Sequence, residues 1–241
     1  MPMSKRCIPY TPRFREIKES VFALVSTAGI HLREQEPYNV DGDNSWRLIP
    51  GNIQTEQLMV THSHYDHQDA DQDINCIFPL DRLRELAAEG IIGGVGDKHL
   101  GFMGYTQNFR DLYERVAPEM AKTISRSQAD AVILTAGCPL CHRVAAAIAR
   151  EIEMTGIPTV FITVAPDQTR QAGPPRAIAP LRFTLGNSLG ALDSQIYNAR
   201  FCSMLSVASK QEKSLEPSGS QSMLNMTAAS GNQLTFKRPK K

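Results

Sequence analysis

Two short stretches of this chain concentrate residues able to do chemistry. The first is LMVTHSHYDHQDAD at 58–71, in which His62, His64, Asp66 and His67 follow the order His-x-His-x-Asp-His. Imidazoles and a carboxylate at that spacing suit a divalent metal that activates water for hydrolysis. Such a centre needs further ligands from later strand ends, commonly a histidine in a glycine-bounded turn. The later histidines are His99, in KHLGF, and His142, beside a cysteine, and neither is in a turn of that kind. Asp69, Asp71 and Asp73 read as an acidic helix entry, and Asn75 and Asp81 as residues that hydrogen-bond loops in place.

The second stretch is TAGCPLCHR at 135–143. It follows an apolar run and leads into an amphipathic one, so it reads as a strand–turn–helix. Cys138 falls at the turn and Cys141 in the first helical turn, where free N–H groups and the macrodipole stabilise a thiolate. Pro139 needs no hydrogen bond there. His142 and Arg143 add positive charge nearby. A first sulfur so activated can react, and the second can then close a disulfide. Two other readings stay open at this point: a pair that only packs, or half of a zinc site, although no second Cys-x-x-Cys or His pair follows. Cys7, Cys76 and Cys202 have no partner in sequence and read as buried apolar thiols.

The elements that must position these groups follow from pattern. Near-continuous apolar runs at 20–30, 56–62, 129–137 and 158–164 suit strands of a parallel sheet covered on both faces. Between them, PLDRLRELAAEG (79–90) predicts a helix with Leu80, Leu83 and Leu86 on one face. Residues 109–127 predict a helix that Pro118 kinks or splits. Residues 140–156 predict one with Val144, Ile148 and Ile152 inward and Gly156 as its stop. The strand–turn–helix–strand order from 129 to 164 is a βαβ unit. The fold class expected is α/β: a three-layer sandwich with a mostly parallel sheet, Rossmann- or flavodoxin-like, and a disordered C-terminal tail. Residues 1–19 are expected to be an extension, 20–205 the α/β domain, and 206–241 a polar, basic tail too poor in apolar residues to offset ordering entropy.

The 241 residues carry a net charge of +1, which gives no general pull toward nucleic acid or membrane. No run reaches the roughly 18 apolar residues that span a bilayer, and the N-terminus lacks the apolar core of a secretory signal. A cytoplasmic location is expected. No Gly-x-Gly-x-x-Gly follows a strand, so no bound nicotinamide is expected.

LTAGCPLCHRVAAAIAREIEMTGIPTV (134–160) resembles the active-site segment of the selenoprotein B subunits of glycine, sarcosine and betaine reductases, and of the selenocysteine subunit of D-proline reductase. In that comparison Cys138 falls on the selenocysteine and Cys141 on the following cysteine. VFALVSTAGIHL (21–32), DINCIFPLDRLRELAAEGIIG (73–93) and FTLGNSLGALD (183–193) resemble further family blocks in the same order. His62 and the pair Tyr65-Asp66 match as well, whereas His64 and His67 do not. Two departures stand out: Cys138 replaces selenocysteine, and Val144 stands where the family has another cysteine. The resemblance implies a cytoplasmic, dithiol-dependent oxidoreductase subunit that cleaves a C–N or similar bond of an amino-acid-like substrate. Cys138 and Cys141 would be the redox pair. His62, steadied by Asp66, would donate the proton. Substrate contacts would come from Asp66, His64, Gly137, Asn187 and Arg176, the arginine (with Arg170) as a carboxylate clamp and Asn187 in a tight turn bounded by Gly186 and Gly190. An external dithiol would be the reductant, a partner subunit would bear a pyruvoyl group, and the protein would be an oligomer. A metal-dependent hydrolase on His62, His64, Asp66 and His67, or a non-catalytic subunit keeping the fold, are the alternatives.

Overall fold

The computed structural model describes residues 7–180, 183–190, 223–228 and 234–237. The chain begins with β1 (Val21–Ser26), β2 (Ile30–Leu32), β3 (Trp46–Pro50) and β4 (Leu58–Val60), then α1 (Gln68–Gln72) and α2 (Leu80–Ala88). It continues through β5 (Gly94–Val95), β6 (Lys98–Phe102), α3 (Phe109–Asp111), α4 (Ala117–Ser125) and β7 (Ala131–Thr135). It ends with α5 (Pro139–Met154), β8 (Thr159–Ile162), α6 (Pro166–Ala172), β9 (Ala177–Pro180), β10 (Met223–Ala228) and β11 (Leu234–Lys237).

Alternation along β1 sets the layers. Phe22 and Leu24 join one apolar cluster with Leu80, Leu83 and Leu86 of α2, while Ala23 and Val25 join another with Met120, Ile124, Val144 and Ile148 of α4 and α5. A strand buried on both faces needs this near-continuous apolar sequence. The sheet order is β11-β10-β9-β8-β7-β1-β6-β3, with β5 also beside β1. The pairs among β6, β1, β7, β8, β9 and β10 are parallel, and β3 and β11 are antiparallel edges. The sandwich with a mostly parallel sheet is therefore as the pattern predicts. The inner order β6-β1-β7-β8-β9 places the reversal of winding between β1 and β7. In open α/β sheets the crevice outside the strand ends at that point is where ligands bind.

The apolar run 20–30 is not one strand. It breaks after Ser26, and β2 leaves to pair with β4 in a separate two-stranded sheet. Gly29 makes the break possible: its φ is +85°, and a Cβ there would fall 2.3 Å from the Thr61 carbonyl oxygen. Pro118 does not split the helix: the backbone stays helical from 109 to 125, with the proline in the first turn of α4 and only the bonding pattern changed before it. A π-helical turn, Leu112–Val116, separates α3 from α4 just before the residue that has no N–H to give. Most of the 206–241 segment lies outside the described residues. Two stretches within it run as strands, a local exception to the expected tail, with β10 taking the open backbone edge of β9. Among the described residues no helix is long and apolar enough to cross a membrane.

Candidate active site

Loops after β1, β4, β6 and β7 meet around one pair of sulfurs at the β1/β7 crevice. The loop after β7 supplies the pair. Cys138 caps α5, its sulfur accepting the Cys141 N–H at 3.1 Å, with Pro139 next in the first turn. A sulfur acceptor at this position satisfies one of the orphan N–H groups of the helix start and lies at its positive end. The loop after β1 holds the other cysteine: Thr27 Oγ1 donates to the Cys141 carbonyl at 2.9 Å. Gly104, after β6, lets that loop close on the helix, since a Cβ there would fall 2.8 Å from Cys141 Cα. Ser188 braces the turn from the other side by donating to the Ala136 carbonyl at 2.9 Å.

The loop after β4 brings His62. Its Nε2 lies 3.1 Å from Cys141 Sγ, and its Nδ1 accepts the His64 backbone N–H at 3.0 Å. The second bond decides the tautomer. With Nδ1 accepting, a neutral ring carries its proton on Nε2 and points it at sulfur. His62, Cys138 and Cys141 are all buried, and their ligand atoms lie within 4.8 Å of one another. Hydrogen bonding from Cys141, aided by His62, lowers the Cys138 thiol to about 5 against the opposing effect of burial. Burial, then the hydrogen bond and negative charge of Cys138, push the Cys141 thiol well above its ordinary range. The arrangement is asymmetric: a thiolate at the helix cap and a protonated thiol behind it.

The other sequence expectations fare differently. Asp66 does not steady His62, because both ring nitrogens are already engaged. Its carboxylate accepts the Gln68 N–H at 3.1 Å. His64 stacks on Tyr105, the ring centroids 3.6 Å apart, and His67 Nδ1 pairs with Asp71 at 2.8 Å. His62, His64, Asp66 and His67 thus do not converge. Among the described residues the three-donor group that could hold a metal contains only His62 of the four, with both cysteines. The tautomer of His62 opposes even that use, since an Nε2 that ligates a metal needs its proton on Nδ1. His142 does not add positive charge. Its Nδ1–H donates to the Cys138 carbonyl at 2.7 Å, its Nε2 accepts the Val164 N–H at 3.2 Å, and burial lowers it to about 4. Arg143 stacks over Phe109.

Asp66 and Asn187 line a cavity of about 680 Å³ with Tyr65, Gln68, Asp69, Val164, Thr184 and Leu185. Asn187 Nδ2 donates to Asp69 at 2.8 Å, and Gly186 and Gly190 both have positive φ, as a tight turn there requires. Arg176 is not brought to this group. It is buried in an ion pair with Glu153, bonds the Thr11 carbonyl and stacks on Tyr10. Arg170 pairs with Asp167 on the surface. Cys76 is buried as expected, Cys7 is exposed, since no element among the described residues covers it, and Cys202 lies outside the described residues. Asn75 and Asp81 do hold loops: they bond each other twice at 3.0 Å, and Thr55 donates to Asp81 at 2.6 Å.

Sequence reasoning assigned no role to Tyr65, whose ring covers the cysteine turn. Its hydroxyl donates to the Ala28 carbonyl at 2.7 Å, and it meets His62 edge-on at 4.8 Å. Gly137, expected to contact substrate, lies instead beneath this ring and outside the cavity lining, and Gly186, on the ring's other side, was expected only to bound a tight turn.

Residues 1–137 match the model of the glycine/sarcosine/betaine reductase selenoprotein B family. The match includes His62 and Tyr65 and stops one residue before Cys138. The chain is 43% identical over 172 residues to the D-proline reductase subunit gamma of Acetoanaerobium sticklandii, covering 71% of each chain. It is 30% identical over 173 residues to a glycine reductase complex component B subunit gamma of Carboxydothermus hydrogenoformans, covering 69% of this chain and 39% of that one. The sarcosine reductase complex component B subunit beta of Peptoclostridium acidaminophilum is 27% identical over 173 residues, again with 69% of this chain and 39% of the relative covered. No solved structure matches.

Proposed function

The chain belongs to the glycine/sarcosine/betaine reductase selenoprotein B family, and on that premise we propose that it is a dithiol-dependent oxidoreductase subunit. It reductively cleaves a C–N or similar bond of an amino-acid-like substrate, in the cytoplasm and within an oligomeric complex. The observation that carries the reading is the linked group Cys138–Cys141–His62, in which the helix cap holds a thiolate and His62 directs a proton at sulfur.

The Cys138 thiolate attacks the carbon that bears nitrogen. An S–C bond forms, the C–N bond breaks, and the leaving nitrogen takes the Nε2 proton of His62 while Nδ1 takes up the proton that Cys138 gave to solvent on becoming a thiolate. Cys141 then attacks the Cys138 sulfur. The S–S bond forms, the S–C bond breaks, and the carbon leaves with the electron pair and the Cys141 proton, relayed through His62. In sum two thiols lose two electrons and two protons, and the C–N bond becomes C–H and N–H. An external dithiol restores the pair. Asp66, Asp69 and Asn187, which line the cavity, would orient an ammonium-bearing substrate. The family resemblance implies a pyruvoyl group on a partner subunit, whose chemistry would be to activate the amine. No step assigned to this chain's residues runs through it.

Mild oxidation of the reduced protein, followed by peptide mass spectrometry, tests this reading. A Cys138–Cys141 disulfide that a small dithiol reverses is the expected result. Failure to link the two sulfurs, or a Cys138→Ser protein that keeps full activity in its reductase complex, would leave only a non-catalytic role.

A further inference from the structure

The Tyr65 ring occupies a slot between two glycines. On one side a Cβ at Gly137 would fall 2.2 Å from Cε1, 2.6 Å from Cζ and 2.8 Å from Cδ1. On the other, a Cβ at Gly186 would fall 3.1 Å from Cδ2 and 3.3 Å from Cε2. The two glycines are there for different reasons. Gly186 has φ +83°, so its backbone already favours glycine. Gly137 is outside the left-handed region, and what excludes a side chain there is the ring itself.

Gly137 immediately precedes Cys138, so the ring is seated on the nucleophile's own turn. The hydroxyl fastens it across the crevice, from the β4 loop to the Ala28 carbonyl beyond β1. The same ring is a wall of the 680 Å³ cavity, whose lining includes neither sulfur nor His62. Tyr65 is thus the residue common to the cavity wall and to the cover of a buried thiol pair. A substrate must touch Cys138 to react, and Cys138 is only 1% exposed.

We propose that Tyr65 is a gate between the cavity and Cys138, closed when its hydroxyl is latched on Ala28 and open when the ring leaves the slot between Gly137 and Gly186. Opening exchanges one hydrogen bond to a carbonyl for one to water, a small cost. The ring then carries the edge that faces His62 out of the line between substrate and sulfur. The proposal rests on the reading of Cys138 as the reactive thiol, and it makes Tyr65 a positioning residue rather than a catalytic one.

The test is the residue-resolved alkylation rate of the reduced full chain between pH 5 and 8, with iodoacetamide and with a bulkier maleimide. Gly137→Ala forces the ring out without touching it. Tyr65→Phe keeps the ring and removes the latch. Both are expected to raise the Cys138 rate, Tyr65→Phe by about fivefold for the loss of one hydrogen bond, and to narrow the gap between small and bulky reagents. The pH midpoint of Cys138 does not rise, since uncovering the thiol relieves the burial that opposes its ionisation, and buried Cys76 stays slow. Unchanged Cys138 rates in Tyr65→Phe overturn the gate, as does Cys76 accelerating in parallel, which signals general loosening. A wild-type midpoint at the free-thiol value of about 8.5 would sink the nucleophile reading instead, and the rate comparison would still decide the gate.

Discussion

The backbone N–H of His64 donates to Nδ1 of His62 at 3.0 Å, and that single bond fixes which proton His62 can present to the sulfurs. A group wired this way acts as an Nε2–H donor. Hydrogen bonds to a charged partner contribute about 1.5–3 kcal/mol, or on the order of one to two pH units. His62→Ala is therefore expected to raise the midpoint of Cys138 alkylation by about one unit. His62→Gln, which keeps an N–H donor but no transferable proton, should shift it less and still abolish turnover. Equal shifts in both variants would mean that an N–H donor at this position is not what lowers the Cys138 midpoint.

The pH dependence of Cys138 follows from the same contacts. Its thiol is held down to about 5, first by Cys141 and then by His62. The alkylation rate should stay level from pH 8 to about 6 and fall through the region of 5, whereas that of free cysteine already falls below about 8.5. Cys141→Ser leaves a hydroxyl that bonds sulfur in another geometry, so the midpoint should rise. Stopped-time alkylation with mass detection reads both.

Much of this fold was legible in sequence, for identifiable reasons. β1, β7 and β8 are buried on both faces, so their apolar runs are continuous. Leu80, Leu83 and Leu86 mark α2 because one face of it meets the core. β3 and β6 were not foreseen: WRLIP is half exposed on an edge, and in KHLGF a histidine and a glycine break the pattern. At the site, Cys138 and Cys141 were visible because a helix cap needs local sequence only. The partner of His62 was misjudged because Asp66 is near in sequence, while the true acceptor relation runs to a backbone group. Arg176 looked available for substrate since nothing in its own segment shows Glu153, 23 residues away and on another element. The Tyr65 slot depends on contacts spanning 72 and 121 residues, beyond any local pattern.

Arg176 and Glu153 are nearly inaccessible, with Glu153 also accepting the Thr159 N–H at 2.7 Å and bonding the Thr11 N–H. Removing one partner strands the other charge. Arg176→Ala should cost about 3–5 kcal/mol in denaturant unfolding. Arg176→Lys keeps the charge but not the fork that reaches both Glu153 and Thr11, and should recover only part of that. Neither should change the Cys138 midpoint. An unaltered stability with a raised KM would restore the substrate-clamp role.

The histidine-rich loop gives a fourth expectation. Since His64 and His67 are held by Tyr105 and Asp71, the double variant His64→Ala/His67→Ala should form the Cys138–Cys141 disulfide at a rate within about twofold of wild type, surface changes away from buried networks usually being small. Chelator dialysis should leave the rate equally unaffected. Dependence on either would bring a metal centre back into the account of this loop.

His99 offers a stability test away from the site. It is buried, its Nδ1 accepts the Leu24 N–H at 2.9 Å, and burial lowers it from 6.5 to about 4. The folded state thus binds a proton less readily than the unfolded chain. The sign follows: stability is complete above pH 6.5 and falls as pH drops toward 4, by up to about 3 kcal/mol for this one group. His142, also lowered to about 4, acts in the same direction. Urea midpoints measured from pH 7.5 to 4.5 should therefore decline, and His99→Gln should flatten part of the slope while lowering the neutral-pH value, because its amide must replace the bond to Leu24 without the ring's packing against Phe78. A wild-type midpoint that does not move over this range would show that His99 binds its proton as easily in the folded protein as outside it.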